Sequence, residues 1–171
     1  MGSLKVTHIV GAVFTMIFGT LLHFLWAWTG YSRITAIFSA VNESTWEHLK
    51  LLFFPFAVFT IIEYFLYGRE KSCFFTVKLR AVLLGMAVIV TVFYTYTGVL
   101  GDNYLPLDIG TFILGVAAAY GYSYRQMQDI SNVCSVYREA AACVSLVVIG
   151  AAFGVFTFAP PALGIFQPPA P

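Results

Sequence analysis

The segment Asn42-Glu43-Ser44-Thr45-Trp46-Glu47-His48-Leu49-Lys50 gathers two carboxylates, an imidazole and an ammonium within nine residues. At about 100° per residue on a helix, Glu43, Glu47 and Lys50 share one face. Ser44 and His48 share the neighbouring one. Imidazole and carboxylate groups ligate divalent metals, and an acid placed beside a base moves protons. The spacing Glu-x-x-x-Glu-His is neither His-Glu-x-x-His nor Glu-x-x-His, so it specifies no particular metal. A structural role competes on equal terms. Ser44-Thr45-Trp46-Glu47 fits a capping box, in which Ser44 and Glu47 satisfy the amides at a helix start. Asn42 is an alternative cap, and Lys50 neutralises Glu47. Capping accounts for Glu47 and leaves His48 unexplained.

Residues of this kind need elements to hold them, and five apolar runs supply those. They cover about 6–28, 44–67, 75–97, 106–124 and 137–158, and a short apolar piece, Ile34–Val41, follows the first. Each run is long enough for a span of about 20 residues, and lipid admits only helices or closed barrels. The expected fold is all-α: an integral membrane bundle of about five transmembrane helices forming a single domain over 1–171, with a Pro-rich tail at 159–171. The first run is too long for the apolar core of a signal peptide and reads as a retained helix. Pro106 suits the first turn of the fourth. Pro55 interrupts the second, as a packing kink or a hinge.

Composition agrees. Hydrophobic residues make up 60% of the chain and charged residues 10%, against roughly a quarter charged in soluble domains. The net charge of +1 and the lack of a basic run exclude nucleic acid as a partner. The lipid bilayer is the expected partner.

With the N-terminus in the cytoplasm, Lys5, Arg69, Lys71, Lys78, Arg80, Arg125 and Arg138 lie inside and only Arg33 and Lys50 outside. That asymmetry places the C-terminus outside. Cys73 and Cys134 then occupy cytoplasmic loops, where thiols stay reduced, and no spacing suggests a disulfide framework.

Orientation brings the remaining polar residues together. In the first helix Gly11, Thr15, Gly19, His23 and Ala27 form one stripe of four-residue steps, and Asp108, Thr111, Gly115 and Ala119 trace a similar line in the fourth. Both stripes turn their polar members toward the bundle interior. His23, Asn42, Glu43, Glu47, His48, Asp102 and Asp108 therefore converge on the outer face, beside Asn103, Tyr94 and Tyr96. These are the expected ligand-binding residues, and His23, Glu47 and His48 are the expected metal set for a divalent ion. Trp26, Trp28 and Trp46 at this face fit an interfacial belt. At the other end, Glu63 is expected to pair with Arg69 or a helix neighbour, and His8 reads as interfacial.

The string Asn42–Pro55 resembles the signature of small bacterial multi-pass membrane proteins of unknown function, common in Firmicutes. Gly19–Phe24, Ile62-Glu63-Tyr64, Phe93–Gly98 and the Phe158–Phe166 tail match as well. The ending Gln167-Pro168-Pro169-Ala170-Pro171 departs from the expected Asp-Pro and Gly-Tyr close. The resemblance implies a bacterial cytoplasmic membrane location and no activity. Small polar ligand or ion binding at the outer cluster is the preferred function. A metal-dependent hydrolase or transferase, a transporter, and a structural or partner-binding subunit remain alternatives.

Overall fold

The computed structural model describes residues 2–129 and 133–168, so Pro169–Pro171 of the tail lie outside the described residues. Among those described, the chain forms α1 (Gly2–Trp28), α2 (Arg33–Ala36), α3 (Thr45–Leu66), α4 (Phe74–Leu100), α5 (Leu105–Gln128) and α6 (Val136–Phe158). Short 3-10 turns follow at Gly68–Glu70 and Gly164–Phe166. Five of the helices are long and apolar enough to cross a membrane, and no strand occurs among the described residues. The expected helical bundle is the observed one.

Helix ends follow local chemistry. Ser44 caps α3 by accepting from Glu47 N, and Ser135 caps α6 by accepting from Arg138 N. Gly101 closes α4 at φ +80°, a left-handed position that favours glycine. Pro106 sits in the first turn of α5, where no N–H is needed. Only half of the expected capping box forms. Ser44 N donates to Asn42 Oδ1 rather than to Glu47, and the Glu47 carboxylate reaches past it to Val41 N, at 3.0 Å.

α3 is the central helix, packing against α1, α4 and α6, while α4 lies along α5. Small residues make the close approaches possible. A Cβ on Gly85 would stand 2.7 Å from Gly115 O, and one on Gly115 would meet Ile89. Likewise, a Cβ on Gly19 would stand 2.5 Å from Leu51 O. The core of Leu52, Phe53, Phe56, Phe59, Val82, Val116, Tyr120 and Phe153 fills the space between. Outward residues such as Val6, Val10, Val13 and Ile17 of α1 or Val144, Val147 and Val155 of α6 remain exposed, as a lipid-facing surface requires. Near the tail, Phe166 folds back onto Trp46, with ring centroids 4.7 Å apart. Trp46 is thus a packing residue rather than a member of a belt.

The cysteine expectation is corrected. Cys73 and Cys134 form a disulfide with Cα atoms 5.1 Å apart, although 61 positions separate them. The start of α4 and the α5–α6 connection meet at one end of the bundle, a proximity that loop spacing does not encode. Glu139 of α6 reinforces the junction by accepting from Phe75 N and Thr76 N at 2.8 and 3.0 Å.

Two lysines also leave the surface. Lys50 and Lys78 are fully buried in ion pairs. The cation asymmetry then rests on Lys5, Arg69, Lys71, Arg80, Arg125 and Arg138 at the N-terminal end against Arg33 at the other. It is, if anything, sharper.

Candidate functional site

The site is assembled at the end of the bundle opposite the N-terminus. α1 carries His23 there, α3 carries His48 in its first turn, and the turn before α3 carries Glu43. The Asn42 side chain accepts from Ser44 N at 2.9 Å and so fixes that turn. His48 Nε2 lies 3.4 Å from Glu43 Oε2, and His23 Nε2 lies 4.0 Å from Glu43 Oε1. The two imidazole centroids are 5.3 Å apart. One ligand atom from each of the three residues falls within 4.8 Å of the others.

Proton placement follows from the partners. His48 Nδ1 is 2.9 Å from the Ser44 carbonyl oxygen, which can only accept. Nδ1 therefore carries a hydrogen; Nε2–H of the doubly protonated ring donates to Glu43, and once that proton is lost Nε2 offers its lone pair to a metal. A backbone carbonyl that orients a ligating imidazole in this way is a usual outer-shell device of metal sites. His23 Nδ1 is buried with no hydrogen-bond partner. The His48 imidazole, hydrogen-bonded to Glu43, holds that carboxyl below the usual carboxylate range. Partial burial works against this, and the His48 and His23 charges add to it. Glu43 is therefore an acceptor throughout the neutral range.

Glu43 and His48 of this trio also line a cavity of about 90 Å³, more than a single water needs. Glu43, His48, Thr45, Asn103, Asp108 and Thr111 give it a polar rim, and Leu51, Ile89, Phe93 and Phe112 an apolar floor. The Tyr96 hydroxyl donates to Asp108 Oδ1 and holds that carboxylate at the rim.

The remaining expected residues fall elsewhere. Asp102 is exposed and accepts from the amide of Asn103. Glu47 belongs to a separate buried pair, with Oε2 2.6 Å from Lys50 Nζ and Oε1 accepting from Thr157 at 3.1 Å. The carboxylate beside the two histidines is Glu43.

This chain belongs to the family of unknown function DUF6512. The family model matches residues 2–170, so the DUF6512 assignment covers nearly the whole chain. No curated protein and no solved structure matches it.

The DUF6512 chain holds a second polar cluster, at the N-terminal end, that sequence reasoning missed. Glu63 Oε2 lies 2.5 Å from Lys78 Nζ, and Glu63 Oε1 accepts from the Tyr67 hydroxyl at 2.7 Å. Lys78 also donates to Ser123 Oγ at 2.9 Å, and His8 Nε2 is 3.0 Å from the same oxygen. Of the two expected kinds of partner for Glu63, Arg69 gives way to Lys78 of α4 while the helix neighbour Tyr67 does bond it, and His8 is buried rather than interfacial. One signal was present. Continuing the α1 stripe back from Gly11 by a helical step reaches His8, and continuing the α5 stripe past Ala119 reaches Ser123.

Proposed function

We propose that this is a multi-pass protein of a bacterial cytoplasmic membrane, its N-terminus inside, that binds a divalent cation at its outer face. His23, Glu43 and His48 are the ligands, and the adjoining cavity admits a small polar molecule of a few non-hydrogen atoms. The observation that carries this reading is the convergence of three ligand atoms within 4.8 Å. Ligands of a tetrahedral ion bound at about 2.0–2.1 Å stand about 3.3–3.4 Å apart. The 3.4 Å His48–Glu43 separation already has that value, and His23 closes in by a rotamer adjustment. Two imidazoles with one carboxylate suit zinc, iron or manganese better than calcium or magnesium. The resemblance of the Asn42–Pro55 string supports the bacterial setting, and the cation asymmetry supports the orientation, against the Cys73–Cys134 bridge at the N-terminal end, a bond that the cytoplasm keeps rare.

Calorimetric titration of detergent-purified protein with zinc tests the site. One ion per chain is expected, lost in His23→Ala or His48→Ala and weakened at least about tenfold in Glu43→Gln. Zinc affinity unchanged in His48→Ala would overturn the assignment. Orientation has its own test. A cysteine placed in the 101–104 turn should react with an impermeant maleimide in intact cells. Cys73 should stay unreactive there even after an impermeant reductant. Reaction at Cys73 would reverse the topology and put the disulfide on the oxidising face.

A further inference from the structure

The buried cluster of His8, Glu63, Tyr67, Lys78 and Ser123 has no part in the cation site. Its hydrogen bonds have a definite direction. His8 Nδ1 is 2.9 Å from the Leu4 carbonyl oxygen, so Nδ1 carries a hydrogen. Lys78 Nζ donates to Ser123 Oγ. The Ser123 hydroxyl hydrogen is then available to His8 Nε2, 3.0 Å away, which accepts it as a lone pair. The chain runs from Lys78 through Ser123 to His8 and ends on a basic nitrogen without a proton.

The cluster thus holds one more basic site than its ion pair needs. Glu63 and Lys78 neutralise each other at zero exposure, with Tyr67 and Ser123 completing their bonds. His8 adds a second base, and its Nε2 lies 3.8 Å from Glu63 Oε1, a counter-charge already in place. The groups facing the ring are Glu63 and Tyr67 from α3 and its C-cap, Lys78 from α4, and Tyr120, Ser123 and Tyr124 from α5. The three tyrosine rings lie 5.6–6.3 Å from it. Ionisable groups inside a membrane bundle mark functional positions by default.

We propose that this cluster is a proton-binding site, with His8 Nε2 as the acceptor. On protonation the bond to Ser123 reverses, Nε2–H becoming the donor, and the cluster passes from net zero to net +1 with Glu63 as counter-ion. Entry is from the N-terminal end, since His8 lies only about 9 Å along α1 from Gly2. Two turns deeper along α1, Thr15 shares a hydrogen bond of 2.9 Å with Tyr120. Beyond them the column stops, where Gly19 packs on the Leu51 backbone and the Phe112 ring.

The chain has three histidines, so nitrogen-15 NMR of histidine-labelled protein in detergent reads His8 directly, with His8→Gln to assign it. At alkaline pH the His8 ring should show the Nδ1–H tautomer, and acid should convert it to the doubly protonated form. Glu63→Gln should move that midpoint to lower pH by at least about one unit, and Lys78→Met should move it higher. Ser123→Ala, the mildest change, should alter the His8 Nε2 shift at alkaline pH. Zinc should perturb His23 and His48 and leave His8 unmoved, so the two sites are judged separately. An Nε2–H tautomer at alkaline pH, or a ring that keeps one charge state from about pH 4 to about pH 9, would overturn the proposal. The wild-type titration decides this even where a charge variant does not fold.

Discussion

Two buried lysine–glutamate pairs stand at opposite ends of the bundle, and their surroundings differ. Around Lys50 and Glu47 the partners are mainly backbone. Lys50 donates to the carbonyls of Ala36 and Ser39 at 2.8 Å, Glu47 accepts from Val41 N, and Thr157 of α6 bridges the two side chains. The backbone groups have fixed roles as donor or acceptor, the Thr157 hydroxyl is held between a cation that only donates and a carboxylate that accepts, and together they pin the α2 region onto α3 and α6. Around Lys78 and Glu63 the partners are side chains with exchangeable roles: a serine, a tyrosine and a histidine. The first pair is a closed structural clasp. The second can change its proton count. Burial of a charge pair alone therefore says little about function; the neighbours' freedom to swap donor and acceptor roles says more.

The largest expected effect breaks the clasp. Lys50→Met leaves the Glu47 carboxylate buried without its cation and should cost about 3–5 kcal/mol, read as unfolding in detergent. Adding Glu47→Leu should recover part of that loss. A double variant no better than the single one would show that the backbone bonds, not the pair, hold this end.

Next in size is the covalent staple at the other end. Cys73→Ser should cost about 2–4 kcal/mol, by the usual effect of a cross-link closing a long loop. Adding reductant to the parent should reproduce that loss, with no further change in the variant. Equal stability with and without reductant would mean that Glu139 and the helix packing suffice there.

A smaller effect separates capping from ligation at the His23 end. Ser44→Ala removes the α3 cap and should cost about 1 kcal/mol, with zinc affinity nearly unchanged. His48→Ala should abolish zinc binding while the metal-free melting temperature barely moves. A few kcal/mol lost in the metal-free His48 variant would make the ring a structural partner instead.

The smallest effect concerns pH. Glu43 has a depressed folded-state pKa, so its contribution to stability is present above its unfolded value and lost as pH falls through the lower folded one. Glu43 is exposed, so the change should be slight, and Glu43→Gln should flatten it. Zinc affinity should fall much earlier in the same titration, because the imidazoles must give up protons to bind.

Much of this architecture was legible from residue order. Run length and the near absence of charge dictate spanning helices, because lipid leaves no other way to satisfy the backbone. Stripes of small and polar side chains dictate which faces of α1 and α5 turn inward. The N-cap at Ser44 follows from local chemistry alone. What helical angle could not rank was Glu43 against Glu47. Glu43 precedes the first turn of α3, where the helical wheel no longer applies, and the Asn42 turn swings it toward the two histidines. Glu47, inside the helix, is captured by Lys50 and by Thr157, 110 positions away. The Lys78–Glu63–Ser123–His8 chain and the Cys73–Cys134 bridge likewise join four different helices or their connections. Local sequence sets the face a side chain occupies. Which long-range partner meets it there depends on how the helices are rotated and stacked, and only the tertiary structure decides that.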